Sequence, residues 1–209
     1  ASVTIPHKEN LVRFVKERGG RMDSLSEKIG AANTLVVGSA GGLECANTDA
    51  PAAIGAPVGP DLKSKTVAIL GAGGAARAIA AALVAGGAIV TIFNRTKDRA
   101  QRLVNDLACA FASVGDLQSL HQQRFDIYIN CTPLGMSSGP GPDLSPLPTD
   151  APLDESCTVM DTVYSPARTP FIQQAEARGA RIVPGMKMFT RQAAKQFEMW
   201  THANPGAAT

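Results

Sequence analysis

The 209-residue sequence predicts an α/β fold whose mainly parallel sheet is wound on both faces by helices. Three observations carry that prediction. From Thr66 onward, short apolar β-prone runs alternate with helical stretches, the pattern of parallel strands buried on both faces. The first of those strands runs straight into a glycine-rich turn that opens a helix. A content of 44% apolar and 18% charged residues supplies enough core for one large domain or two small ones.

The elements follow in chain order. Residues 2–5 read as a strand and 8–18 as a helix carrying Leu11, Val12, Phe14 and Val15. Residues 23–29 read as a short capped helix. Two β-prone runs, 33–37 and 43–47, are joined by Gly38-Ser39-Ala40-Gly41-Gly42, a hairpin signal. The Pro/Gly/Ala-rich passage 51–60 reads as a linker. Strands are then expected at 66–70, 89–93, 110–113, 125–130, 158–161 and 181–183, with helices at 75–84, 97–107, 114–120 and 169–178. A final amphipathic helix, 188–201, gathers Phe189, Ala193, Phe197 and Trp200 on one face.

Composition excludes several function classes. A net charge of +2, from 20 basic and 18 acidic residues, makes no field for nucleic acid. The longest apolar run, 78–93, is broken by Gly86-Gly87, and nothing resembles a leader, so neither a membrane nor a secreted protein is expected. Cys45, Cys109, Cys131 and Cys157 form no C-x-x-C pair, and His7, His121 and His202 stand at no metal-ligand spacing. Neither a metal nor a disulfide framework is expected, and the cysteines read as buried apolar thiols in a cytoplasmic protein.

The chemistry begins at the turn. Gly71-Ala72-Gly73-Gly74-Ala75-Ala76 fits G-x-G-x-x-A: Gly71 for the tight turn, Gly73 for approach to a pyrophosphate, Ala76 for close packing of helix on sheet. A packing turn would account for the glycines alone. The strand before and the helix after point to a Rossmann-like dinucleotide site, with the anion on the helix N-terminus. One strand later, where NAD-binding versions carry an acid about 20 residues on, stands Asn94-Arg95-Thr96, with Lys97 and Arg99 behind it. An Arg offers a ribose 2′-phosphate a planar fork that an acid would repel, so NADP is the expected cofactor. Lys8, just after Pro6, falls in the first turn of a helix, a poor place for an ammonium. Asp49 reads as a helix N-cap and Asn33 as a turn residue. Spacing alone does not bring these three together.

A family resemblance does. Val3-Thr4-Ile5-Pro6-His7-Lys8-Glu9, Ile29-Gly30-Ala31-Ala32-Asn33-Thr34 and Asn47-Thr48-Asp49 precede a G-x-G-G-x-x-R loop that ends at Arg77. Asn94-Arg95-Thr96, Asn130-Cys131-Thr132-Pro133-Leu134-Gly135-Met136, Asp161-Thr162-Val163-Tyr164-Ser165-Pro166 and a run from Gly185 to Ala194 follow it. In that order these motifs strongly resemble the shikimate dehydrogenase family. The resemblance implies NADP-linked, reversible oxidation of shikimate to 3-dehydroshikimate, in the route to aromatic amino acids. It makes Lys8 and Asp49 the catalytic pair and leaves open which of them moves the proton. Asn33, Asp49 and Gln192 become substrate-binding positions, with Tyr164 a further contact. Gly71, Ala72, Gly73, Gly74, Ala75, Asn94, Arg95 and Thr96 hold NADP, and Thr132, Gly135, Met136, Gly185 and Met188 border its nicotinamide side, with Met186 beside them.

The same resemblance implies a Rossmann-like NADP domain at 53–185 and a partial α/β substrate domain at 1–52, completed by the C-terminal helix 186–209. Ser2 stands where the family often has Asn. The family also carries an upstream segment with a serine pair for the substrate carboxylate. The chain, which opens without Met in a β-prone run, therefore reads as part of a longer and possibly fused polypeptide. Apolar faces of 1–50 are expected to be partly uncovered, and the chain by itself to bind NADP but turn over shikimate poorly. A quinate/shikimate dehydrogenase of broader choice, or a non-catalytic NADP-binding module of the same fold, are the alternative readings.

Overall fold

Backbone pairing divides residues 1–54, 61–108 and 112–206, which the computed structural model describes, into two sheets. In the smaller, three-stranded one, β1 (Arg21–Met22) runs parallel to β3 (Leu43–Ala46), and β3 pairs antiparallel with β2 (Thr34–Val37). Helix α1 (Lys8–Glu17) buries Leu11 and Val15 against this sheet. Helix α2 (Ser24–Ile29) starts where the Asp23 carboxylate accepts the Ser26 amide at 3.0 Å, the cap expected of that residue type.

Three local expectations differ here. Residues 2–5 form no strand: Ser2 bridges Thr34, the Val3 amide donates to the Asn33 carbonyl at 2.8 Å, and the chain then turns into α1. Pro6 has no amide with which to continue a ladder. The supposed linker begins as helix α3 (Asp49–Ala53), which buries Ala50, Ala52 and Ala53. Pro51 sits in its first turn, where a missing amide costs nothing; the rest of that passage, 55–60, lies outside the described residues. Helix α3 is also not capped by the Asp49 side chain. The Asn47 amide oxygen accepts the Asp49 and Ala50 amides at 3.0 and 3.2 Å, which leaves the Asp49 carboxylate free for other partners.

The larger sheet contains β4 (Thr66–Leu70), β5 (Ile89–Phe93), β6 (Ala112–Gly115), β7 (Ile127–Asn130), β8 (Thr158–Asp161) and β9 (Arg181–Val183). All its pairings are parallel, in the order β6-β5-β4-β7-β8-β9. The sheet therefore grows outward in both directions from β4, and β4/β7 is the switch point beyond whose carboxyl ends such folds bind ligands. Helices α4 (Gly74–Ala85), α5 (Lys97–Leu107), α6 (Pro170–Glu176) and α7 (Gly185–Thr201) complete the described residues. One core packs Ile79 and Leu83 of α4 under Ile69 and Ile92. The other stacks Phe93, Phe125 and Tyr128 edge to face, centroids 5.7 Å apart, with Phe171 of α6.

Strand β6 ends two residues later than expected; 110 and 111, like Cys109, lie outside the described residues. The helix expected at 114–120 is a 3₁₀ turn, Leu117–Gln122, whose start is set by the Asp116 carboxylate accepting the Gln118 amide. The C-terminal helix differs most in substance. Phe189, Phe197 and Trp200 stay about two-fifths exposed, while Met188 and Gln196 are buried. The Gln196 amide donates to the Asn33 carbonyl at 3.0 Å and to the Thr34 hydroxyl at 3.1 Å, and the Trp200 indole N–H donates to the Leu35 carbonyl at 3.1 Å, so α7 meets β2 through polar donors and not through buried aromatic rings. Ile5, Phe14 and Val37 of the smaller lobe are likewise exposed.

Gln196→Leu keeps the volume and removes both donations, leaving buried acceptors unmet at a cost of about 1–3 kcal/mol. Urea unfolding should register that loss; unchanged stability would mean that Gln196 does not pin α7 to β2.

Candidate active site

Lys8 is the first residue of α1 and Asp49 the first of α3. The smaller sheet sets these two helix starts side by side, with the Lys8 ammonium donating to Asp49 Oδ2 at 2.6 Å. Both side chains are largely withdrawn from solvent, at 13% and 6% exposure. An ammonium at a helix N-terminus opposes the helix dipole, and the facing carboxylate offsets that. The other carboxylate oxygen, Oδ1, accepts the Asn33 side-chain amide at 3.0 Å, and that amide also donates to Gln192 Oε1 at 3.2 Å. Asn33 is fixed from its oxygen side by the Thr48 amide at 2.9 Å. Asn47 bonds the Ala31 carbonyl at 3.0 Å as well as starting α3, so it supports both Asn33 and Asp49.

Two cavities meet at Lys8. The larger, about 540 Å³, is bordered by Lys8, Asn33, Asp49 and Gln192 on one side, and by Thr132, Met136, Tyr164 and Met188 on the other. The smaller, about 270 Å³, is bordered by Gly71 to Ala75, Asn94, Arg99 and Thr132. Gly71 has φ +110, and a Cβ there would lie 3.0 Å from the Cys131 backbone. Only glycine lets the turn pass so close to the end of β7. A Cβ on Gly73 would meet nothing within 4 Å, so open space lies before the start of α4. Beyond β5 the border is formed by Asn94 and Arg99 and by no acid, while Glu9 of α1 borders the cavity from the other lobe. Open space at a helix N-terminus, with an Arg and not an acid beyond β5, fits a dinucleotide phosphate with a further phosphate on its ribose.

Other expected residues stand apart from both walls. Arg95 and Thr96 are exposed, the Thr96 carbonyl accepting the Asn94 amide at 2.8 Å. Gly135 and Gly185 serve packing: Cβ atoms there would meet Thr169 at 3.0 Å and the Val163 carbonyl at 2.2 Å. Met186 is 44% exposed.

The floor between the cavities depends on residues to which sequence reasoning assigned no role. Asn130 and Asp161 are paired neighbours at the ends of β7 and β8, and the Asn130 amide donates to Asp161 at 3.0 Å. The Asn130 oxygen accepts the Thr132 amide and hydroxyl at 2.9 and 2.7 Å. Asp161 accepts the Val163 amide at 2.9 Å and the Thr169 hydroxyl at 2.6 Å. These bonds tie together the loops carrying Thr132 and Tyr164. Their signal in the sequence was a polar residue at the end of each of two apolar strands, each opening one of the motifs that carry the family resemblance. Burial pushes the Asp161 carboxyl from 3.8 up to about 6, against the pull of the Thr169, Val163 and Asn130 donors.

A family model described as shikimate/quinate 5-dehydrogenase matches residues 54–134. A shikimate dehydrogenase (NADP(+)) of Methanocella arvoryzae is 43% identical over 213 aligned residues, covering 98% of this chain and 73% of that protein. A shikimate 5-dehydrogenase of Thermus thermophilus, solved with NADP(H) and shikimate, superposes with a TM-score of 0.79 at 31% identity, covering 98% of this chain and 73% of that one. A quinate dehydrogenase of Corynebacterium glutamicum, solved with NAD, gives 0.83 at 26% identity, again over 98% and 73%.

Between pH 3.8 and about 6 the folded chain keeps on Asp161 a proton that the unfolded chain has released. That contribution to stability is full below the lower value and lost as pH rises through the upper one. The stability of the wild type relative to Asp161→Asn, read by urea unfolding, should therefore fall between about pH 4 and about pH 7. A flat or rising difference would contradict the carboxyl's environment.

Proposed function

The chain belongs to the shikimate dehydrogenase family, and on that premise we propose that it catalyses the NADP-dependent, reversible oxidation of shikimate to 3-dehydroshikimate. The observation that carries this reading is the Lys8–Asp49 pair, held at 2.6 Å where a cavity with a polar wall of Asn33, Asp49 and Gln192 meets one fit for a dinucleotide. NADP, when bound along Gly71 to Ala75, supplies the hydride acceptor for the alcohol carbon and, in reverse, the donor.

The residues of the chain handle the proton and the geometry. Removing hydride from a carbinol carbon leaves the hydroxyl proton to a base, and the reverse reaction needs an acid at the same oxygen. Lys8 borders both cavities and takes that role, its neutral amine form accepting the hydroxyl proton in oxidation and its ammonium form returning a proton to the same oxygen in reduction. Asp49 is the orienting partner, since its two oxygens are already engaged by Lys8 and Asn33. Asn33 and Gln192 bind neighbouring hydroxyls, Tyr164 adds a contact across the cavity, and Met136 and Met188 form an apolar wall that keeps water from the reacting carbon. The backbone amides at the start of α4 receive the pyrophosphate, and Asn94 and Arg99 the ribose phosphate, with Arg95 and Thr96 exposed between them to reach it from outside the cavity. The smaller lobe with the C-terminal helix forms the substrate domain, and 53–185 the cofactor domain.

A quinate/shikimate dehydrogenase is the second reading, favoured by the quinate dehydrogenase among the structural neighbours; the missing acid beyond β5 weighs for NADP over NAD. The substrate is a small molecule, and among the described residues no helix is long and apolar enough to cross a membrane. The free, buried thiols of Cys45, Cys131 and Cys157 suit the cytoplasm.

In the full-length protein, NADP reduction with shikimate should be observed, and Lys8→Ala should lower kcat by about 10²–10⁴ while NADP affinity is retained. Turnover and NADP affinity falling together would contradict the role of Lys8. Equal turnover with quinate, or with NAD, would favour the second reading.

A further inference from the structure

The glycine-rich turn contains one glycine more than a dinucleotide turn of the G-x-G-x-x-A type needs, and its surroundings set it apart. A Cβ on Gly73 would meet nothing within 4 Å, whereas a Cβ on Gly74 would lie 2.8 Å from Lys8 Cβ and 3.3 Å from Lys8 Cδ. The obstructed atom is the first of the side chain, so no rotation of the flexible ammonium stem relieves it.

Lys8 has nowhere else to go. Its carbonyl accepts the Ala32 amide at 3.0 Å, its ammonium is held by Asp49 at 2.6 Å, and Leu11 and Val15 anchor α1 in the small-lobe core. One turn along α4, Arg77 reaches back to the same lobe: Nη1 donates to the Ile29 carbonyl at 3.4 Å, and Nε lies 3.9 Å from Glu9, the residue after Lys8. Its other partner, Asp106 of α5 at 2.5 Å, fixes it on the cofactor side.

We propose that Gly74 is a positioning residue for Lys8: its missing side chain, not its backbone, lets α1 dock on the start of α4 and sets the ammonium between the two cavities. The backbone amide of residue 74 can face a phosphate whatever side chain stands there. The spacing of the glycines thus divides between two tasks, Gly73 keeping space open for the cofactor and Gly74 keeping it open for the lysine. This inference rests on the proposed role of Lys8 in turnover, but two of its readouts do not.

In the full-length protein, Gly74→Ala should leave NADP affinity as in the wild type and lower kcat for shikimate by about a hundredfold, the effect of a displacement of about 1 Å in a reacting group. Reductive methylation with peptide mass mapping should find Lys8 protected in the wild type and labelled in Gly74→Ala towards the level of the exposed Lys63. Gly73→Ala should do the reverse, weakening NADP and leaving Lys8 protected. Wild-type labelling of Lys8 in Gly74→Ala, or NADP affinity lost in step with kcat, would overturn the proposal. A wild type that turns over no shikimate would overturn the function instead, and labelling would still decide the role of Gly74. If Gly74→Ala does not fold, Gly74→Ala in a Lys8→Gly background, which removes the obstructed atom, should fold. Failure in both backgrounds also overturns the proposal.

Discussion

One ion pair organises the molecule: an ammonium at the start of α1 facing a carboxylate at the start of α3, 2.6 Å apart and both largely out of water. Such a pair tolerates little error, because removing one partner strands the other charge at a cost of about 3–5 kcal/mol. The surrounding structure works as a set of restraints on that distance. Asn47 begins α3 and thereby places Asp49; Asn33 occupies the second carboxylate oxygen. Gln192 and Gln196, one turn apart on one face of α7, bring the C-terminus back onto the smaller lobe that holds them. The helix dipole that disfavours Lys8 is overcome by this enclosure, and an ammonium that is held but not sequestered is what proton exchange at a substrate oxygen requires.

The second constraint is topological. A parallel sheet that reverses its growth between β4 and β7 opens a crevice at the carboxyl ends of those strands. Into it project the turn at Gly71 and the loop at Thr132, and α1 closes it from the other lobe. Lys8 thus borders both cavities. Asn130 and Asp161, paired across β7 and β8, convert two loops that would otherwise move separately into one wall. The buried carboxyl there is retained despite its desolvation because three donors converge on it.

Local chemistry was legible in the sequence and long-range chemistry was not. The strands of the larger sheet, the Asp23 cap and the dinucleotide turn each follow from residues adjacent in the chain. Asp49 shows the limit: its position in Asn47-Thr48-Asp49 reads as a cap, yet Asn47 supplies that bond and frees the carboxylate for a lysine 41 positions away. The C-terminal helix shows the same limit. Periodicity gathers its aromatic residues on one face, whereas what docks the helix on the carbonyl and hydroxyl acceptors of β2 is a set of polar donors, the Gln196 amide and the Trp200 indole N–H. Family resemblance brought Lys8, Asn33 and Asp49 together, but assigned no role to Asn130, Asp161 or Gln196, whose work is visible only as contacts between distant segments.

The central claim is that Lys8 and Asp49 act as one unit. A double-mutant cycle on kcat for shikimate oxidation in the full-length protein tests it most directly. If the pair is a single device, Lys8→Ala with Asp49→Ala should be no slower than the slower single variant, because the first substitution has already removed what the second would remove. Losses that multiply would show two independent contributions and contradict the account.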